Sequence, residues 1–262
     1  MELTPSDLLT ALILTKNEEP NLKRVLDELT WLQRVVILDS FSTDATLDIA
    51  ARYPNVEVHQ RAFDTHGNQW NYGLSLLKSK WALTLDADYV LTPEFIAETK
   101  AILQSPKHTA YMSAFKFLVF GKRLPGDNTV PRPVLFDMAL CNYYDDGHTQ
   151  RLNINGSTGH YKSFNLHDDR KSLSRWLSNQ DGYAIKESRK LVNTSSENEP
   201  ISARIRKTKI LAPFFVFFHC LFVKRLIFGG WTGWHYTLQR TLVEILLAIR
   251  LIEDEKFSDK TP

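Results

Sequence analysis

Short apolar runs alternate with amphipathic stretches through the first third of the chain, and this alternation constrains the fold more than any other feature. Runs typical of buried strands lie at residues 9–14, 35–38 and 56–58, and a fourth, in the stretch 81–89, ends in two aspartates. Between them, the segment after Pro20 and those at 47–51 and 68–78 repeat the apolar spacing of one helix face. The pattern predicts an α/β fold, with a mostly parallel sheet flanked by helices.

Composition supports a folded domain in a reducing compartment. The 262 residues are 43% hydrophobic, which is enough for a substantial core. Cys141 and Cys220 have no spacing typical of a zinc site or a disulfide framework. The N-terminal residues lack the pattern of a signal peptide, so we expect the catalytic part to be cytoplasmic.

Polar residues follow three of the predicted strands. Thr15 and Asn17 follow the first, Asp39 the second, and Asp86 and Asp88 the fourth. Ligands of open α/β sheets bind beyond the carboxyl ends of the strands, so these side chains are candidates for one site. The first strand-to-helix turn has no Gly-x-Gly-x-x-Gly pattern, and the chain has no phosphate-binding loop motif. The negative charge of a bound diphosphate would therefore have to be neutralised by another group.

Asp86 and Asp88 are the candidate metal ligands. If the strand continues through them, residues two apart point to the same side. Two neighbouring carboxylates repel each other unless a cation lies beside them, and Mg²⁺ or Mn²⁺ suits such a pair. The alternative is that the two aspartates only end the strand and cap the next turn.

Four segments together resemble the family 2 glycosyltransferases of the GT-A fold. They are ALILTKNEE at 11–19, VVILDSFSTDAT at 35–46, NQWNYG at 68–73 and LDAD at 85–88. The resemblance implies a nucleotide-sugar donor and an Asp-x-Asp motif, in which Asp86 and Asp88 hold the metal and the donor diphosphate.

The same resemblance assigns the remaining donor contacts. It implies that Thr15, Asn17 and Glu18 line the nucleoside pocket and that Asp39 meets the base or the ribose. Gln69 and Asn71 are secondary donor contacts on this view, or else ordinary helix surface residues.

The acceptor side is expected in the middle of the chain. Strands are predicted at 111–120 and 134–140, joined by a loop with Gly and Pro at 121–133. Acidic, histidine and arginine side chains then cluster at 145–151 and at 167–171. The second cluster precedes an amphipathic helix and resembles the matching segment of bacterial lipopolysaccharide core glucosyltransferases. Asp168 or Asp169 is the expected catalytic base, with Asp146 as the alternative. The choice among the three stays open because the family's frequent Glu-Asp pair and Gly-Gly segment are absent.

The resemblance implies a metal-dependent, inverting transfer of a sugar from a nucleotide-diphosphate sugar, with a UDP-sugar as the first expectation. The acceptor would be lipid-linked or a cell-envelope glycan, and no nucleic-acid partner is expected. Two alternatives remain. One is a synthase that moves the sugar onto polyprenyl phosphate, and the other is a membrane module that binds nucleotide sugars without turnover.

The C-terminal part is predicted to be a separate helical segment, residues 193–262, after a catalytic domain at 1–192. It holds seven basic and no acidic residues between Glu199 and Glu244, beside a cluster of Phe and Trp. The apolar run at 211–223 is shorter than the ~20 residues that span a bilayer. We therefore expect two helices at an anionic membrane surface, on the inner face of the cell membrane, with a bend at Gly229-Gly230. The alternative is a core helix.

Overall fold

The computed structural model of the protein describes residues 8–126, 130–146, 149–193 and 200–257. The described residues of 1–121 and 128–171 form one compact unit, and those of 122–127 and 172–262 form a second. The first unit contains the sheet, and the second is mainly helical.

Strands and helices alternate through the first unit as the apolar pattern predicts. Its helices are α1 (Leu22–Asp27), α2 (Thr46–Ala50), α3 (His66–Ser75) and α4 (Pro93–Gln104). Its strands are β1 (Leu9–Thr15), β2 (Val35–Asp39), β3 (Val56–Gln60), β4 (Trp81–Asp86), β5 (Tyr89–Val90), β6 (Ala110–Val119), β8 (Arg132–Asp137), β9 (Cys141–Asp146), β10 (Thr149–Ile154) and β11 (Thr158–His167). The short strand β7 (Lys122–Arg123) belongs to the second unit.

The main sheet has the strand order β3-β2-β1-β4-β8-β6-β11-β5. Strands β3, β2, β1 and β4 are parallel, and β11 is parallel to β6. Strand β8 runs antiparallel to both β4 and β6, and β5 runs antiparallel to β11. The prediction of a mostly parallel sheet is confirmed.

Both faces of the sheet are buried, which explains why its central strands are continuously apolar. Leu9, Ala11 and Ile13 of β1 enter one core cluster, together with residues of α1 and α4. Leu12 points to the other face, where it packs in a cluster with Trp70 of α3. The antiparallel hairpin β9–β10 also contributes to this second cluster.

The aspartate pair lies differently from the sequence-based expectation. Strand β4 ends at Asp86, and Ala87 and Asp88 form a turn before β5 begins at Tyr89. The strand therefore does not continue through both aspartates, and the condition under which they would point to one side is not met. Their positions depend instead on the pairing of β5 with β11, which fixes the far end of the turn.

The second unit is built from α5 (Leu173–Asn193), α6 (Ile201–Lys207), α7 (Leu211–Phe218) and α8 (Gly230–Phe257). A π-helix (His219–Val223) and a 3₁₀-helix (Leu226–Gly229) lie between α7 and α8. Leu191 of α5 packs with Leu247 and Leu251 of α8, and Ser188 donates a hydrogen bond to Asp254. Because of these contacts, α5 belongs to the second unit with the C-terminal helices. The second unit therefore takes in residues from 172 onward, whereas the sequence-based boundary was placed at 192.

The apolar helices of this unit are bent. No single helix in the described ranges is long and apolar enough to span a membrane, whereas Leu211–Val223 and Leu226–Phe257 qualify together as a pair bent by 70°. The break lies at Lys224-Arg225, where Arg225 has a φ of 55°. Gly230, at the start of α8, also has a positive φ, 59°, so the predicted glycine position is a second irregularity rather than the main bend.

Candidate active site

Parallel pairing brings the predicted polar residues to one edge of the sheet. Thr15 lies opposite Asp39 in the β1–β2 register, and Leu14 lies opposite Asp86 in the β1–β4 register. The carboxyl ends of three strands therefore meet, as the sequence predicts.

Asp39 is fully buried and ties these strand ends together. Its carboxylate accepts hydrogen bonds from the hydroxyls of Thr15 (2.8 Å) and Ser42 (2.5 Å), the Ser42 amide (2.8 Å) and the Gln60 side chain (3.1 Å). Burial acts to raise the pKa of Asp39, but the hydrogen bonds from Ser42, Gln60 and Thr15 outweigh it, and the pKa is lowered. Its predicted contact with a donor base or ribose stays a prediction.

The loop after β1 is held by the segment after β2. Asn17 has a φ of 56°, its amide donates to the Ser42 hydroxyl at 2.7 Å, and its side-chain oxygen accepts from the Thr43 amide at 2.6 Å. The Glu18 amide donates to the Thr46 hydroxyl at 2.7 Å. Thr15, Asn17 and Glu18 are thus brought together, as a pocket wall requires.

Asp86 and Asp88 follow at the end of β4. The side chain of Asp88 is 12% exposed, and its Oδ1 atom is buried without a hydrogen-bond partner among the described residues. Burial raises the pKa of Asp88 and Asp86 adds to this, whereas His167, 3.6 Å away, opposes it. A buried carboxylate oxygen without a partner is costly, so this pair fits a hard cation.

In the described ranges, no group of three or more His, Cys, Asp or Glu residues is arranged to hold a metal ion. Asp86 and Asp88 would therefore share the ion with oxygen atoms of a substrate and of water, as Mg²⁺ and Mn²⁺ commonly allow.

Strand β11 brings the predicted base next to this pair. His167 lies opposite Tyr89 in the antiparallel β5–β11 register. The amide of Asp168 donates to the carbonyl oxygen of Asp88 at 3.0 Å. Sequence reasoning missed both strands, and with them the contact that joins the two acidic segments.

Asp168 and Asp169 have different surroundings. Asp168 is 2% exposed, and its oxygen atoms accept hydrogen bonds from Arg170 (2.8 Å) and the Gly121 amide (3.1 Å). The side chain of Asp169 is 28% exposed, and its hydrogen bonds from Asn21 and from Lys171 all reach Oδ1. Burial opposes ionisation of Asp169, but Lys171 and Asn21 outweigh it and lower the pKa.

Asn21 and Lys171 connect the β1–α1 loop to this segment; Lys171 belongs to the predicted cluster at 167–171 without an assigned role, and Asn21 was not predicted. Asn21 is 1% exposed and donates to Glu18 and to Asp169, both at 3.0 Å. Lys171 contacts Glu18 at 2.9 Å and Asp169 at 3.3 Å. Burial raises the pKa of Glu18 to about 7 despite these contacts. The one local signal was the position of Asn21 directly after Pro20, which suggests a helix cap rather than a site residue.

Comparison with known proteins identifies the family. The family model described as "Glycosyl transferase family 2" matches residues 10–172, which is more than half of the chain and contains every residue of the site. The chain belongs to glycosyltransferase family 2.

Two further similarities agree with this family. An uncharacterized glycosyltransferase of Rickettsia bellii is 30% identical over 113 residues, which are 41% of this chain and 38% of that protein. The chain thus matches well under half the length of this relative. The mannosyltransferase PcManGT of Pyrobaculum calidifontis, solved with GDP-Man and Mn²⁺, has a TM-score of 0.53 at 13% identity, covering 97% of this chain and 90% of that one. The fold is thus the GT-A fold of this family.

In this glycosyltransferase, the side chains of Gln69 and Asn71 form hydrogen bonds to other groups of the protein. Gln69 is fully buried, donates to Ser40 and to the carbonyl oxygen of Arg61, and accepts from Arg61. Asn71 exchanges two hydrogen bonds of 2.8 Å with the backbone of Tyr143 in β9. Their assignment as donor contacts stays a prediction.

The described residues of the other acidic cluster, 145–146 and 149–151, lie on the β9–β10 hairpin. Asp146 pairs with Arg151 at 2.6 Å, and the Asp145 carboxylate accepts from the Gly67 amide at 2.7 Å. His148 lies outside the described residues. Asp146 is thus paired across its own hairpin.

Asn71→Ala should lower the free energy of unfolding of the glycosyltransferase by about 2–4 kcal/mol, because two buried backbone groups of Tyr143 lose their partners. Urea unfolding measures this. The matched control is Asn68→Ala on the same helix, whose exposed side chain contacts Asp64 and should cost less than about 1 kcal/mol. Equal stability of the two variants, with nucleotide binding lost only in Asn71→Ala, would make Asn71 a donor contact instead.

Proposed function

We propose that the chain transfers a sugar from a nucleotide-diphosphate sugar to a hydroxyl group of a lipid-linked or cell-envelope glycan, with inversion at the anomeric carbon. The preferred donor in this proposal is a UDP-sugar. The acceptor class includes the lipopolysaccharide core. The observation that carries the proposal is the hydrogen bond between the Asp168 amide and the Asp88 carbonyl oxygen. It places a carboxylate segment suited to activate an acceptor beside the aspartate pair suited to hold a donor diphosphate.

Donor binding is assigned to the edge formed by β1, β2 and β4. Asp86 and Asp88 would hold a divalent ion, which supplies positive charge to the leaving diphosphate. Thr15, Asn17 and Glu18 shape the wall on which the nucleoside would lie. The backbone amides of Asn17 and Glu18 donate to the Ser42 and Thr46 hydroxyls, and the Asn17 side chain accepts from the Thr43 amide, so protein groups hold this part of the wall without a ligand.

Asp169 is the proposed base. Its lowered pKa keeps it ionised at neutral pH, and its Oδ2 atom receives none of the hydrogen bonds that hold Oδ1. It would take the proton of the acceptor hydroxyl as that oxygen bonds to the anomeric carbon. The bond between the anomeric carbon and the phosphate oxygen breaks on the opposite face, and the nucleoside diphosphate leaves with the electron pair.

Replacing the two neighbouring aspartates separates these roles. Asp169→Asn should lower turnover by about 10²–10⁴ with little change in donor binding, because asparagine keeps the shape and an acceptor oxygen but removes the basicity. It also removes the ion pair with Lys171, whose loss should cost about 1 kcal/mol of unfolding free energy or less. Asp168→Asn should lower the unfolding free energy by about 1–3 kcal/mol, since a buried acceptor of the Arg170 and Gly121 hydrogen bonds is weakened. The assays are transfer kinetics and urea unfolding. Retained turnover in Asp169→Asn would exclude it as the base.

Asp88→Ala, and also Asp86→Ala, should abolish transfer and remove the metal-dependent part of nucleotide-diphosphate binding, because both the metal and the diphosphate depend on this pair. Calorimetry of UDP with and without Mn²⁺ measures the effect, and uridine, which has no phosphate, serves as the control ligand. The fold should stay intact, since Trp81, Leu83 and Leu85 of β4 are unchanged. Full transfer by either variant in excess chelator would contradict the metal assignment.

We also propose that the second unit docks on an anionic membrane surface, which suits a lipid-linked acceptor and a peripheral position on the cytoplasmic face. Support comes from helix α8, whose exposed side carries a stripe of apolar residues at helical spacing. The stripe consists of Trp231, Trp234, Leu238, Ile245, Ile249 and Ile252, all between 39% and 58% exposed. Its buried side contains Leu247, Ala248 and Leu251 together with Thr237 and Glu244. A second, exposed apolar stripe along the same helix favours an apolar neighbour outside the protein.

Helix α7 contributes to the same character. Phe214, Phe215 and Phe218 are between 53% and 61% exposed, and Phe222 in the following π-helix is 58% exposed. Exposed aromatic side chains next to a basic segment without acids are typical of an interfacial helix.

The full-length protein should sediment with anionic vesicles, and high salt should release much of it. The double replacement Phe214→Ser and Phe218→Ser should weaken binding roughly tenfold or more, because apolar burial is lost. Phe63→Ser with Tyr72→Ser, both 43% exposed in the first unit, is the control and should bind as wild type. Equal binding by the two double variants would reject the docking surface.

A further inference from the structure

A segment distant in sequence belongs to the second unit. Residues 122–126, here called the strap, lie in the chain between β6 and β8 but group with the helices at 172–257. Sequence analysis assigned this segment to a loop on the acceptor side. The structure instead joins it to the bend between α7 and α8.

Close backbone contacts seat the strap on the bend. Gly126 has a φ of 69°, and a Cβ atom added to it would lie 2.0 Å from the carbonyl oxygen of Lys224. A Cβ atom added to Gly229 would lie 3.0 Å from the ring of Pro125. Leu124, between these contacts and the basic residues of the strap, is 2% exposed. The strap is therefore a fitted part of this surface.

The strap adds cations to an exposed aromatic surface. Lys122 and Arg123 are exposed, and the ammonium group of Lys122 lies 5.4 Å from the ring centre of Trp231. Trp231 is 51% exposed and begins the apolar stripe of α8. Charged and apolar side chains from two remote segments thus share one surface.

The bend itself has the same composition. Arg225 is exposed, and Lys224 is partly exposed. Val223 and Phe228 are 70% and 82% exposed, among the most exposed apolar side chains of the described residues. Strap and bend together present four basic residues and, in the described residues 122–126 and 222–231, no acid.

We propose that the strap and the bend form a head-group-binding edge, at which Lys122, Arg123, Lys224 and Arg225 contact the phosphates of anionic lipids. Because the four residues are basic, the proposed binding partner is an anionic lipid bilayer. Phe228 and Trp231 would enter the membrane–water interface beside these cations. The inference rests on the proposed membrane docking and adds its location. The strap is a membrane-contacting element rather than an acceptor loop.

The test compares two variants that remove the same charge. Lys122→Ser with Arg123→Ser should bind phosphatidylglycerol vesicles about 25-fold more weakly than wild type, or about fivefold per residue, since each basic residue near such a surface contributes about 1 kcal/mol. Lys107→Ser with Lys162→Ser, both exposed in the first unit, is the matched control and should stay within about twofold of wild type. On pure phosphatidylcholine vesicles the two double variants should bind equally.

The double variant Phe214→Ser with Phe218→Ser, which lies on α7 outside the strap and the bend, separates the two proposals. If wild type binds vesicles, this α7 variant binds more weakly and the strap variant binds like the control, the inference about the strap fails while membrane docking stands. If wild type does not bind anionic vesicles at all, both proposals fail. A selective loss in the strap variant on anionic vesicles supports the inference.

Discussion

Crowding of acidic side chains at one edge of the sheet is the constraint on which the site depends. The acids that meet there are Glu18, Asp39, Asp86, Asp88, Asp168 and Asp169. Buried carboxylates at such short range are tolerated only with matching donors or cations. Serine, threonine and glutamine side chains satisfy Asp39, Arg170 satisfies Asp168, and Lys171 lies between Glu18 and Asp169. Asp88 keeps one buried oxygen without a hydrogen-bond partner among the described residues. A bound cation would neutralise this remaining carboxylate.

The second unit combines apolar packing with two buried polar groups that have partners. Leu191, Leu247 and Leu251 pack together, Glu244 is 2% exposed and accepts from Arg206, and the Thr237 hydroxyl donates to the Gly233 carbonyl oxygen. Matched polar groups cost little when they are buried, whereas apolar side chains in water are unfavourable. Burial of Glu244 and Thr237 is therefore tolerated, whereas the exposed apolar side chains of α7 and α8 are in unfavourable contact with water.

Local sequence patterns predicted the central strands, because burial on both faces leaves continuous apolar runs at β1, β2 and β4. They also placed Thr15, Asp39 and Asp86 at one edge, because parallel strands end on the same side. The β5–β11 pairing joins residues 89–90 to 166–167, and two-residue strands carry no local signal. The choice between Asp168 and Asp169 depends on Gly121, Asn21 and Lys171, which only the tertiary fold brings to them.

Asn21 uses both ends of its amide. The nitrogen donates to Glu18 and Asp169, while the oxygen accepts from Arg24 at 2.9 Å and from the Arg170 amide at 3.0 Å. No other side chain of this size offers two donors and an acceptor in that arrangement: aspartate lacks the donors, and leucine lacks both. Loss of this one amide would therefore remove a hydrogen-bond partner from Glu18, Asp169, Arg24 and the Arg170 amide at once, and would loosen the loop after β1 and the segment after β11 together.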